Sequence, residues 1–132
     1  MLVVLADAGF WIGLYDPRDD TRLRDLSLRC ADKLIQQTNM KIILPWPIMY
    51  EILDTRCVKD PAKKKALEDN LRRFPVIRLD DSPYRERALE ETLGTERPIS
   101  LADMVVRKIL LDRSVRIDHL LSFNIRDFSD AV

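Results

Sequence analysis

Histidine and glycine are nearly absent from this chain of 132 residues: His119 stands alone, and the glycines are Gly9, Gly13 and Gly94. A single histidine excludes a multi-histidine zinc site. It leaves a serine–histidine pair only Ser122 close by, and on a strand those two side chains would point to opposite sides. Three glycines, none in G-x-G-x-x-G or G-x-x-x-x-G-K, provide no loop to cradle a phosphate. Cysteine is scarce too. Cys30 and Cys57 have no CxxC partner, and two such thiols in a cytosolic chain read as free. No apolar run is long enough to span a bilayer, and no signal peptide or lipidation motif is visible, so a cytoplasmic protein with no membrane partner is expected. Charge of one sign is also lacking: 22 basic and 22 acidic residues cancel. That argues against an indiscriminate polyanion binder and leaves room for a local basic face.

What is present is a regular alternation of strand and helix signals. Leu2-Val3-Val4-Leu5-Ala6 is a charge-free, β-branched and aliphatic run, the pattern of a strand buried on both faces. It ends on Asp7, at the strand end where open α/β sheets put their ligand crevice. Phe10–Tyr15 is a short apolar piece. A polar turn over residues 16–20 follows, where Asp19 or Asp20 can cap a helix carrying Leu23, Leu26, Cys30, Leu34 and Ile35. Ile42–Leu44 predicts a second strand stopped by Pro45, and Pro47 can open a helix that carries Ile48, Glu51 and Ile52. Asp60-Pro61 predicts another helix start, with Ala62, Ala66, Leu67, Leu71 and Phe74 as its apolar stripe. Val76–Leu79 predicts a third strand. Ser82-Pro83 opens a helix through about Leu93 that Gly94 is placed to end. Ser100 begins another through Leu110 or Leu111, and a strand around His119–Phe123 leads into a loop over 124–128. No repeat or linker interrupts the pattern. It predicts a single domain over residues 1–132, a three-layer α/β/α fold with a mostly parallel central sheet and right-handed crossovers.

The chemistry-bearing residues are a scattered acidic set. An aspartyl-nucleophile phosphatase would carry a second Asp two residues after Asp7, and Gly9 occupies that place. What remains is Asp7 after the first strand, Glu51 on an early helix, Asp103 in the first turn of a later one, and Asp127 after the last strand. Each also has a structural explanation. Asp7 can cap its turn, Glu51 can be an exposed helix residue, Ser100-Leu101-Ala102-Asp103 has the form of a capping box, and Asp127 can close its own turn. Apolar residues flank Asp7, Glu51 and Asp103, as expected of carboxylates facing a partly buried crevice.

Four segments in register carry a resemblance: Val3-Val4-Leu5-Ala6-Asp7, Tyr50-Glu51-Ile52, Ser100-Leu101-Ala102-Asp103, and Leu121-Ser122-Phe123-Asn124-Ile125-Arg126-Asp127-Phe128. Over essentially its full length the chain resembles a PIN-domain nuclease of the VapC toxin type. The resemblance implies an acidic cluster at one end of the sheet that holds Mg²⁺ or Mn²⁺ and cleaves RNA. By motif position Asp7, Glu51 and Asp103 are the core carboxylates and Asp127 the outer one, all four expected as catalytic and metal-holding residues. Asn124, Ser100 and Ser122 are expected as supporting polar groups. Arg97 and Arg126 are the candidate RNA contacts, nearest the acids in the expected fold. The resemblance further implies a cognate antitoxin protein and a homodimer. Two departures stand out: Ala8-Gly9 follows Asp7 where relatives often carry Ser, Thr or Asn, and Asn124 replaces an Asp found in some relatives. Both bear on a second metal more than on the first.

Physics makes the same site plausible. Two carboxylates ~6 Å apart repel by roughly 3 kcal/mol at an effective dielectric of ~20. Such a cluster must protonate, recruit Arg or Lys, or bind a cation, and oxygen ligands alone favour Mg²⁺ or Mn²⁺ over zinc. The helix dipole is expected to keep Asp103 ionised. Lys63, Lys64, Lys65, Arg72 and Arg73 could follow a phosphate backbone or form a solvated helix face. Trp11, Trp46 and Tyr50 could stack on bases or pack in the core or an interface. Two other functions stay open: a catalytically inactive PIN-like module binding RNA or protein, its carboxylates paired with Arg97 or Arg126, and an RNA-processing nuclease that is not a toxin.

Overall fold

The structure is a computed structural model and describes residues 1–15, 21–37, 39–53 and 56–132. Its centre is the first strand, β1 (Leu2–Ala6), whose residues from Val3 onward are buried. The strand has neighbours on both edges. β2 (Met40–Pro45) pairs with it in parallel, Val4 opposite Ile42, and β4 (His119–Leu121) pairs on the other side, Leu5 opposite Leu120. β3 (Val76–Leu79) lies outside β2, which completes a parallel sheet in the order β3-β2-β1-β4. An apolar strand without alternation needs cover on both faces, and helices provide it.

Between β1 and β2 run α1 (Ala8–Tyr15) and α2 (Thr21–Ile35). Between β2 and β3 come α3 (Trp46–Leu53), a short 3-10 turn (Arg56–Lys59) and α4 (Pro61–Arg73). α5 (Ser82–Gly94) and α6 (Leu101–Leu111) connect β3 to β4. The right-handed rule for such crossovers places the first two connections on one face. The third travels back across the sheet and so covers the other, giving a three-layer α/β/α fold. The strand order reverses beside β1, which puts the switch point at the carboxyl ends of β1 and β4.

Several boundaries differ from those expected. β2 is longer than Ile42–Leu44 and includes Pro45; its pairing to β1 stops at Ile43, so the missing N–H of Pro45 faces no second strand. α3 begins at Trp46, one residue before Pro47, in a first turn where the N–H groups have no intrahelical partner. Gly94 stays within α5, and extended Thr95 ends it. The last strand stops at Leu121 because β1 offers no partner beyond Asp7, whose N–H donates to the Leu121 carbonyl at 2.9 Å. Residues 125–128, expected as loop, form a one-turn helix, α7 (Ile125–Phe128), followed by a 3-10 turn (Ser129–Ala131). Burial of the Phe128 ring draws this turn onto the core. The polar turn with its Asp19 or Asp20 cap, and the side chain of Cys57, lie outside the described residues. Cys30 is a free thiol.

The helix starts match the sequence closely. Asp60 Oδ1 accepts from the N–H groups of Ala62 and Lys63 at 3.0 and 3.3 Å, the cap that Asp60-Pro61 predicts. Trp11 belongs to the core, edge-on to Phe10 and Phe74, and so is not available to stack on a substrate. No helix among the described residues is long and apolar enough to cross a membrane.

Candidate metal centre

Asp7 is the best-anchored member of the site. The end of β1 delivers it to the switch point, and only 7% of its surface remains exposed. Its Oδ1 accepts at 2.8 Å from the N–H of adjacent Ala8, the first residue of α1. Its Oδ2 accepts from the Ser122 hydroxyl at 3.0 Å, which ties β1 to the segment after β4. Burial pushes its pKa up despite these two hydrogen bonds.

Glu51 arrives from α3, whose Ile48 and Ile52 point into the core and leave Glu51 half-buried at the border. Asp103 arrives from the first turn of α6. Ser100 caps that helix by accepting from the Asp103 N–H at 3.1 Å, one half of the expected capping box. The side chains of Asp7, Glu51 and Asp103 converge, each offering one oxygen, with these oxygens within 4.8 Å of one another. Two full charges that close repel by roughly 3 kcal/mol at an effective dielectric of ~20.

Protonation answers part of that repulsion. Burial, then the charges of Asp103 and Asp7, push the Glu51 pKa up to about 7. Burial, then Asp7 and Asp127, push Asp103 up to about 6, although a hydrogen bond from Ser100 pulls the other way. The helix dipole was expected to hold Asp103 ionised; desolvation and neighbouring acids outweigh it. No Arg or Lys forms an ion pair with Asp7, Glu51 or Asp103 among the described residues. Three oxygens at this spacing, with no His or Cys, are a donor set suited to a hard divalent cation.

Asp127 lies beside this group, near enough for its charge to raise the pKa of both Asp7 and Asp103. Asn124 Nδ2 donates to Asp127 Oδ2 at 2.7 Å, and the Asn124 N–H donates to Ser122 Oγ at 2.9 Å. Two of the three expected polar supports, Ser122 and Asn124, thus form one path, Asp7–Ser122–Asn124–Asp127, while Ser100 serves the start of α6. Arg97 goes elsewhere: its guanidinium pairs with Asp130 at 3.2 Å. Arg126 is exposed. On α4, Lys65 and Arg72 pair with Asp69 and Glu68, which reduces the free charge of that face.

Sequence reasoning passed over Arg107 and Asp130. Arg107 is buried on α6 and donates to the Asp127 carbonyl at 2.7 Å and to both Asp130 oxygens at 2.6 and 3.0 Å. The available signal was a lone arginine at i+4 from Asp103 inside Met104-Val105-Val106-Arg107. Beside Glu51, a cavity of about 680 Å³ opens between α3, α5 and α6, with Tyr50, Leu89 and Leu101 among its walls. Tyr50 is 71% exposed and its ring lies 6.1 Å from that of Trp46.

Compared with family models, with curated proteins and with solved structures, the chain matches none.

Proposed function

We propose that this chain is a Mg²⁺- or Mn²⁺-dependent endoribonuclease, with Asp7, Glu51 and Asp103 holding the ion and Asp127 as an outer acid. The observation that carries the reading is the convergence of three carboxylates from distant segments, with no basic side chain ion-paired to them among the described residues. Acids kept for a structural purpose are normally paired when they leave water. A divalent ion bound there supplies a water of lowered pKa and offsets charge on a scissile phosphate. The chain's own residues do the positioning. Ala8 and Ser122 fix both oxygens of Asp7, Ser100 fixes the turn that carries Asp103, and Asn124 fixes Asp127. Trp46 and Tyr50, exposed on the helix of Glu51, are the aromatic surface on which an unpaired base would stack.

RNA as substrate, action as the toxin of a toxin–antitoxin pair, a homodimeric state and a cytoplasmic location follow from the resemblance to the VapC-type PIN nucleases. The decisive experiment is cleavage of a mixed RNA pool in Mg²⁺ or Mn²⁺ by the intact protein and by Asp7→Asn and Asp103→Asn. Both variants are expected to fold, by circular dichroism, and to cleave at background level. Unchanged cleavage by either one overturns the assignment; metal-dependent cleavage of DNA alone overturns the substrate. Growth arrest on expression, relieved by the product of an adjacent gene, separates a toxin from a processing enzyme.

A further inference from the structure

We propose that Arg107 is a positioning residue for the carboxylate site, holding the turn of Asp127 against α6 so that this acid stays beside Asp103; the inference rests on the metal-site reading above. Asp103 and Arg107 are four residues apart on α6, hence one turn apart on one face of the helix. Arg107 is 7% exposed, and a guanidinium in such a place must find partners. It finds three acceptors, all on the segment after α7 begins. One is the main-chain carbonyl of Asp127 at 2.7 Å, and the others are the two carboxylate oxygens of Asp130 at 2.6 and 3.0 Å. A planar fork on a carboxylate fixes direction as well as distance. Two attachment points three residues apart therefore set both the place and the tilt of this turn. Arg97 grips the same Asp130 from the loop before α6.

The consequence falls on Asp127. Its carbonyl is held by Arg107 and its side chain by Asn124, so its carboxylate has little freedom to move away from Asp103. One helix thereby places two acids, Asp103 from its own backbone and Asp127 through Arg107. Arg107 does not serve as counter-charge to the three converging carboxylates, since its ion pair is with Asp130.

The test is Mn²⁺ binding, measured by calorimetry on the full chain and on Arg107→Lys, Asp130→Asn, Asp127→Asn and the Arg107→Lys/Asp127→Asn double variant. Lysine keeps the charge but loses the fork. Arg107→Lys and Asp130→Asn are each expected to weaken Mn²⁺ binding on the order of tenfold, as loss of an outer-shell partner does. The double variant is expected to be no weaker than Asp127→Asn alone, because Arg107 acts through Asp127. A purely structural arginine would instead lower the melting temperature while leaving Mn²⁺ affinity intact. That result, or losses that add in the double variant, overturns the proposal. Asp130 is half exposed, so Asp130→Asn keeps the question answerable if Arg107→Lys does not fold. Mn²⁺ binding that Asp103→Asn abolishes but these variants leave unchanged refutes the role of Arg107 alone. No Mn²⁺ binding by the unaltered protein removes the metal-site reading and this role with it.

Discussion

Glu51 carries the largest consequence of any single side chain in the cluster. Its pKa rises from 4.5 to about 7 because burial and then the charges of Asp103 and Asp7 disfavour the ionised form. Between those two values the folded protein binds a proton that the unfolded chain has released. Stability therefore falls as pH rises from about 4.5 to about 7 and stays lower above that. Asp103, raised from 3.8 to about 6, acts in the same direction. Without divalent ions, Glu51→Gln is thus expected to stabilise the protein at pH 8 by on the order of 1 kcal/mol, after allowance for partial exposure. At pH 4, where both states carry the proton, it is expected to change little. Urea unfolding in chelator at the two pH values checks this, and equal effects at both would refute the shift. The acids were legible in the sequence because each stands at a strand end or in a helical turn among apolar neighbours. Arg107 was not, because an arginine in a helix ordinarily carries its charge to water, and its partners, Asp127 and Asp130, lie 20 and 23 residues downstream.

Helix packing sets how far the carboxylates stand apart. α1 follows Asp7 directly, and it can lie against α2 only where Gly13 faces Ser27. A Cβ on Gly13 would come within 2.1 Å of Ser27 Oγ and 3.0 Å of the Leu23 carbonyl oxygen. The latter is backbone and cannot swing away. Gly13→Ala is expected to cost about 1–3 kcal/mol, as overpacking of a filled interior does, with thermal unfolding as the measure. A shift within error would mean that α2 yields freely. α6 is set by its cap instead. Ser100→Ala removes the oxygen that accepts from the Asp103 N–H, and about 1 kcal/mol of stability is expected to go with it. These starts were readable because a cap and a proline act through bonds within three residues. The ends were harder. Gly94 needed no left-handed turn and α5 ran through it, while β4 stopped where β1 ran out, a fact about pairing that no local pattern records.

For the molecule as a whole, basic and acidic residues cancel, yet Asp7, Glu51, Asp103 and Asp127 gather at one end of the sheet. The fold tolerates this gathering by holding protons, and a divalent ion would replace them, since opposite charge draws carboxylate pKa values down. Protons and metal thus compete for the same oxygens, and the affinity for Mn²⁺ is expected to climb as pH rises through about 6 to 7, where Asp103 and Glu51 lose their protons. At a free Mn²⁺ concentration of about 100 times Kd, binding stabilises the native state by about 2.7 kcal/mol. For a chain of this size that raises the melting temperature by roughly 10 °C. The rise is expected in full at pH 8 and nearly absent at pH 5. Asp103→Asn is expected to show none of it at either pH, with ionic strength matched by NaCl. A rise independent of pH, or one that Asp103→Asn retains, would place the ion elsewhere on the surface and leave the carboxylates to their protons.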